Sequence, residues 1–309
     1  RITRGAQPVV ECPRHYNAAV DFIDRHVHEG VGQRRAVIDR DGEYTYADLH
    51  ERVNRAGNAL LDLGLPPESR VALCLLDTID FPAVFWGAIK AGLVPIALNT
   101  LLTSDDYAYM LSDSRANALV VSRELWPQFE SVVAQQPTLK AVLTSGSTGA
   151  SDTHILSEVM AAASPALSAA STTCDDVAFW LYTSGSTGNP KGAMHLHRHL
   201  VYTAATYGLE VLGIEPDDVV YSAAKLFFAY GLGNGMTFPL YVGATAVLLD
   251  GRPTPESVMG LMKAHQPTIL FGVPTLYAAQ LQALDGGSAP DLSSLQYCIS
   301  AGEPLPADI

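Results

Sequence analysis

Tyr182-Thr183-Ser184-Gly185-Ser186-Thr187-Gly188-Asn189-Pro190-Lys191-Gly192 is the stretch on which the reading of the fold turns. It directly follows an apolar run at 177–181 (VAFWL), and an amphipathic stretch begins at His197. Gly185 and Gly188 let the backbone turn so that its N–H groups point inward and form an anion nest. Thr183, Ser184, Ser186 and Thr187 add hydroxyl donors, Lys191 adds a cation, and Pro190 stiffens the loop before it. The spacing is not that of a Walker loop: Pro190 stands where the second glycine of G-x-x-x-x-G-K-[ST] should be, and Gly192 where the hydroxyl should be. Ser/Gly composition most often means a mobile surface loop, but the ordered Pro-Lys-Gly ending favours a phosphate loop.

The hexapeptide occurs twice. Thr144-Ser145-Gly146-Ser147-Thr148-Gly149 repeats residues 183–188, yet Ala150, Ser151 and Asp152 follow it instead of Asn-Pro-Lys-Gly. No lysine is within reach and Asp152 would repel phosphate, so this copy is expected to be a plain loop after a strand at 140–144.

Outward from the loop, short apolar runs alternate with helical patterns. Runs at 70–76, 94–98, 118–122 and 140–144 read as buried strands, with a helix candidate at 78–91. At 46–63, Leu49, Val53, Ala56, Leu60 and Leu63 form one apolar stripe, with Thr45 as N-cap and Gly64 as stop. A second series of runs at 177–183, 219–223, 245–250, 268–272 and 295–300 alternates with helical stretches near 254–265 and 274–284. The expected fold class is therefore α/β, with two mainly parallel β-sheets and packed helices. A Ser/Ala/Thr-rich connection at 145–175 suggests a first α/β subdomain over 1–175 and a second over 176–309, the latter carrying the phosphate loop.

Bulk properties narrow the function. A formal charge of −13 disfavours nucleic acid and anionic membranes as partners. Four scattered cysteines without a CxxC pair fit a reducing cytoplasm, and no apolar run reaches the roughly 20 residues of a membrane span. His195, His197 and His199 alternate, but no Cys or carboxylate completes a ligand set, so no metal site is expected within this chain.

The loop YTSGSTGNPKG at 182–192 resembles the phosphate-binding loop of the acyl-adenylate-forming superfamily, which includes acyl-CoA synthetases. Three later stretches resemble the same superfamily in the right order. KLFFAYGLG at 225–233 is similar to its acid-pocket motif, in the form found in benzoate-CoA ligases; FGVPTLY at 271–277 is similar to its V-P-T-L helix start; SAGEPLP at 300–306 is similar to its adenine-side loop. The likeness covers essentially the whole chain and implies the N-terminal part of such an enzyme.

From that resemblance, Phe228 would gate the thiol's path, and Ala229, Tyr230 and Gly231 would belong to the acid pocket. Ala301, Gly302, Glu303 and Pro304 would pack on adenine. On residue type alone, a small residue beside two aromatics and before Gly231 suits a flat apolar ligand, but Phe227, Phe228 and Tyr230 as core aromatics at a helix start is the favoured reading. Amino-acid-activating relatives carry an Asp in the pocket motif; Phe228-Ala229-Tyr230 has no carboxylate, which disfavours an ammonium-bearing substrate. His197 would help hold the helix start after the loop. The resemblance implies ATP, Mg²⁺ and coenzyme A as co-substrates and cofactors, and an aromatic acid activated first to acyl-AMP and then to the CoA thioester. Lys191 would neutralise phosphate charge. The superfamily's Mg²⁺ motif and its lid, with a second catalytic lysine, would lie beyond Ile309, so this piece alone is expected to turn over weakly or not at all. A medium- or long-chain acyl-CoA synthetase and a non-catalytic acid- or nucleotide-binding protein stay as alternatives, and a homodimer is left open.

Overall fold

The computed structural model describes residues 2–3, 9–150, 152–183, 188–285 and 291–309. Two large sheets dominate it. The seven-stranded sheet runs in the order Lys191–Leu196, Val177–Thr183, Val94–Ala97, Arg70–Cys74, Ala118–Ser122, Ala141–Ser145, His154–Ile155. The six-stranded sheet runs Tyr297–Ser300, Ile269–Gly272, Val219–Ser222, Thr245–Val247, Arg35–Asp39, Gly42–Thr45. Each is parallel except for one antiparallel pair at an edge, 177–183 with 191–196 and 35–39 with 42–45. A short pairing of Ile2–Thr3 with Val9–Val10 stands apart.

Period-two alternation sorts the side chains of each sheet into layers. Val71 and Leu73 face a central core together with Val37, Val220, Ile269 and Phe271 of the other sheet. Ala72 and Cys74 point the other way, onto helix Ser104–Ser114. Ile38, Tyr221 and Leu270 point outward onto helices Pro255–His265 and Pro274–Asp285. Helices Tyr46–Asp62 and Asp80–Lys90 pack within the central layer, giving helix and sheet in alternate layers.

Local sequence sets several of these elements. The apolar stripe of 46–62 is capped as expected: Thr45 Oγ1 accepts the Asp48 N–H at 3.2 Å, and the Asp48 carboxylate accepts the Thr45 N–H at 2.8 Å. That helix meets 80–90 through Gly57 and Gly87, where an added Cβ would come within 2.8 Å of the opposite backbone. Among the described residues the 145–175 connection holds one α-helix, Leu156–Ala162.

The division expected at 175 does not follow the sheets. Strands 177–183 and 191–196 join the N-terminal sheet, while 35–39 and 42–45 join the later one. Long-range pairing decides this: 180–181 dock in parallel beside 96–97, and 37–38 beside 246–247, registers that local patterning does not reveal. Strand 191–196 was not anticipated; the loop closes a hairpin before the helix His197–Thr203 begins.

Strand order also singles out one position in each sheet. From 70–74 the chain passes to 94–97 on one side and then to 118–122 on the other. From 219–222 it passes to 245–247 on one side and then to 269–272 on the other. These are topological switch points, and in open α/β sheets ligands bind outside the carboxyl ends of the strands there.

Candidate functional site

The phosphate-loop and acid-pocket residues each follow the carboxyl end of a strand. Thr183 and Lys191 are paired across the antiparallel hairpin. Ser184, Gly185, Ser186 and Thr187, between them, lie outside the described residues. Gly188 adopts φ +96°, a backbone geometry that favours glycine. The base of the hairpin is anchored on helix 104–114: the Tyr109 hydroxyl donates to the Pro190 carbonyl at 3.1 Å, and the Tyr182 hydroxyl donates to Asp113 at 2.7 Å. Lys191 is exposed and has no ion-pair partner among the described residues.

In the first hexapeptide copy two hydroxyls have partners within the protein. Ser145 Oγ donates to Asp80 at 2.6 Å, and Thr144 Oγ1 lies 3.3 Å from both Thr153 Oγ1 and the His154 carbonyl.

On the second sheet, strand 219–222 runs into the 223–231 loop, whose last residues open the helix Ala229–Leu232. The Ala223 N–H donates to the Phe271 carbonyl at 2.8 Å, which ties the loop to the neighbouring strand. Phe227 is buried, whereas Phe228 is 47% exposed although the two rings are 4.5 Å apart. The aromatics therefore divide: Phe227 serves the core and Phe228 faces outward. Ala229 is exposed, and half-buried Tyr230 donates its hydroxyl to the Gly272 carbonyl at 3.2 Å. Burial pushes the Tyr230 phenol up to about 12, so at neutral pH it is a neutral donor. Gly231 admits no side chain, because a Cβ there would sit 2.1 Å from the Lys225 carbonyl oxygen and 2.3 Å from that of Ala224.

Strand 297–300 runs parallel to 269–272, so Ala301 and the exposed Gly302, Glu303 and Pro304 leave from the same end of the sheet as Gly272. Pro274 opens helix 274–285, as its motif suggested.

The three alternating histidines do not share one site, although the rings of His195 and His199 lie edge to face with centroids 5.8 Å apart. His195 stacks on Phe179 at 4.6 Å, His197 Nδ1 accepts the Ala18 N–H at 3.1 Å, and His199 Nδ1 accepts the Leu196 N–H at 3.1 Å. Burial lowers the His197 pKa to about 4, partly offset by Asp176. Only His199 secures the helix start; His197 instead fastens the N-terminal segment to it. Among the described residues no three His, Cys, Asp or Glu side chains form a group that could hold a metal ion.

Asp77 escaped the sequence reading. It follows strand 70–74, is 5% exposed, and reaches the other sheet's 225–226 segment. An acidic residue between an apolar strand and a helix, in Leu76-Asp77-Thr78, was the available signal.

Two such sheets, with helices between and outside them, are the architecture of adenylate-forming enzymes. An anthranilate CoA ligase, AuaEII, solved in complex with anthranoyl-AMP, matches with a TM-score of 0.92 at 35% identity, over 96% of this chain and 57% of that one. A benzoate CoA ligase from Burkholderia xenovorans LB400 matches with a TM-score of 0.84 at 42% identity, over 94% of this chain and 57% of that one. In sequence the chain is 52% identical to a benzoate–CoA ligase of Thauera aromatica, over 98% of this chain and 57% of the relative. It is 48% identical to a 4-hydroxybenzoate–CoA/benzoate–CoA ligase of Rhodopseudomonas palustris, over 96% of this chain and 54% of the relative. The chain belongs to the AMP-binding enzyme family, whose model matches residues 23–309. It spans little more than half the length of these relatives, and it aligns with their N-terminal part.

Proposed function

We propose that this chain holds the ATP phosphates and an aromatic carboxylate for an acid–thiol ligase that makes an aryl-CoA. The observation that carries the reading is the 223–231 loop at a switch point. It exposes Phe228 and Ala229, holds Tyr230 through the Gly272 carbonyl, and has no carboxylate at 228–230. A flat apolar ligand suits that surface, and an ammonium-bearing one would lack a counter-charge there.

In the first step a carboxylate oxygen attacks the α-phosphorus of ATP, a P–O bond forms, and pyrophosphate leaves. In the second, the coenzyme A thiol attacks the acyl carbon of the acyl-AMP and AMP leaves with the bonding pair. Lys191 and the loop N–H groups would offset phosphate charge and orient the polyphosphate. Ala301–Pro304 would border adenine, and Phe228 would stand on the thiol's path. Mg²⁺, bound with ATP, would supply further charge neutralisation on the phosphates. Because ATP and coenzyme A are cytoplasmic metabolites, the reading carries a cytoplasmic location with it.

Calorimetry of the 309-residue chain with benzoate, octanoate and phenylalanine, with and without ATP, tests the reading. Benzoate is expected to bind most tightly. Well-folded protein that prefers octanoate or phenylalanine, or binds none of the three, would overturn it.

A further inference from the structure

We propose that Asp77 is a positioning residue: it locks the 225–231 loop of one sheet to the sheet that carries the phosphate-loop hairpin, and so sets where an aromatic acid lies relative to ATP. The inference rests on the function proposed above.

The two ligand-facing elements belong to different sheets. Hairpin 177–196 is part of the seven-stranded sheet, and loop 223–231 leaves the six-stranded one. In-line attack on a phosphorus needs its reacting atoms held to within a fraction of an ångström, so the two sheets must be fixed to each other near the site. Core packing alone resists separation better than it resists small sliding.

Two carboxylates cross the gap in opposite directions. Asp39, at the end of strand 35–39 in the six-stranded sheet, accepts the Ile79 N–H at 2.7 Å. Asp77, just past strand 70–74 in the seven-stranded sheet, accepts the Leu226 N–H through both oxygens at 3.4 Å and lies 3.7 Å from Lys225 Nζ. Lys225 Nζ also donates to the Leu249 carbonyl. The Phe228 N–H donates to the Lys225 carbonyl at 3.0 Å, so the position of 225 passes directly to the exposed aromatic. Gly231 abuts the carbonyls of Ala224 and Lys225, which passes the same constraint to the helix bearing Tyr230. Asp77 thus joins the loops of both switch points.

Its chemistry fits a lock better than a core contact. Burial pushes the Asp77 carboxyl up to about 6, with Lys225 and the Leu226 N–H pulling it down and Asp250 pushing it further up. The group is therefore mainly ionised at pH 7.5. A carboxylate buried to this degree is costly unless its partners face it, which specifies one register of loop against sheet.

Asp77→Asn keeps the volume and one acceptor for Leu226 but removes the charge opposite Lys225; Asp77→Ala removes both. Calorimetry on the 309-residue chain should show benzoate affinity falling about tenfold or more in Asp77→Ala and by less in Asp77→Asn, with ATP affinity within about twofold. Lys225→Met should weaken benzoate too, and Asp77→Asn/Lys225→Met should be no worse than the weaker single variant, because the pair acts as a unit. Hydrogen exchange gives a readout independent of the acid: amides at 225–232 should exchange faster in both Asp77 variants while those of 46–62 stay protected. Wild-type benzoate affinity in folded Asp77 variants, or equal losses for benzoate and ATP, would overturn the inference. Unchanged exchange at 225–232 would overturn the lock even if the unaltered chain bound no aromatic acid, an outcome that would by itself refute the proposed function.

Discussion

Thr183 and Lys191 sit opposite each other in the antiparallel pair that closes the glycine-rich loop. Strand register, rather than the loop, therefore fixes the backbone of the lysine. Its side chain is exposed, and under the proposed function its ammonium would meet a phosphate.

Lys191→Ala should consequently impair adenylation without unfolding the chain. In a form extended over the relatives' full length, pyrophosphate exchange should fall about 10²- to 10³-fold, the usual cost of one charge-stabilising donor. Gly149→Ala in the first hexapeptide copy is the control. Its Cβ would meet only side chains, with Ile155 Cγ1 nearest at 3.0 Å, and exchange should stay within about twofold. Comparable damage from both substitutions would refute the assignment of one functional copy.

The strands and the capped helix at 46–62 were legible because each is decided locally, by an apolar run or by Thr45 and Asp48 three residues apart. What local patterning could not supply was the exchange of strands between sheets, since 37–38 pairs with 246–247 some 200 residues later. Strand 191–196 was hidden because its residues, Lys-Gly-Ala-Met-His-Leu, lack a continuous apolar run. Asp77 was hidden for a third reason: nothing near it in sequence shows that Leu226 will come within reach. Phe227 and Phe228 make the point at one-residue scale, for identical side chains in succession divide between core and surface only once the loop is placed.

His197 should impose a measurable acid sensitivity. Its buried ring is neutral, with Nδ1 accepting the Ala18 N–H, and its pKa is held down to about 4 against an ordinary value near 6.5. The folded pKa is depressed, so between those values the unfolded chain binds the proton preferentially. The contribution is complete above about pH 6.5 and is lost as pH falls through about 4, for a total of about 3 kcal/mol. Urea unfolding at pH 7.5 and 4.5 should show a drop larger by about 2–3 kcal/mol in the wild type than in His197→Gln, whose amide oxygen can replace Nδ1. Equal pH dependence in the two proteins would exclude His197 as a source.

Lys90 and Asp24 offer a test of the central layer. The lysine is 1% exposed, and its Nζ lies 2.6 Å from Asp24 Oδ1 and 2.6 Å from Asn54 Oδ1. Asp24→Ala strands a buried ammonium and should cost about 3–5 kcal/mol in chemical denaturation. The double substitution Asp24→Leu/Lys90→Met removes both charges and should cost clearly less. A loss below about 1 kcal/mol for Asp24→Ala would mean that water or another group reaches Lys90.

Ala229 addresses the acid itself. It is exposed at the start of helix Ala229–Leu232, between outward-facing Phe228 and Tyr230, whose hydroxyl is held by the Gly272 carbonyl. Under the proposed function its methyl group borders the ring of the bound acid. Ala229→Leu adds bulk on that border while leaving the Leu226 N–H and the Gly231 close approach as they are. Benzoates substituted on the ring should lose about 1–3 kcal/mol of binding relative to benzoate, roughly ten- to two-hundred-fold in discrimination. ATP affinity should change little, because the phosphate hairpin belongs to the other sheet. Calorimetry across benzoate and its 2-, 3- and 4-substituted forms would also show which ring position points toward residue 229, since that acid should lose most. If the ranking of acids were the same before and after the substitution, Ala229 would not line the pocket, and the acid would have to lie against a different face of the 223–231 loop.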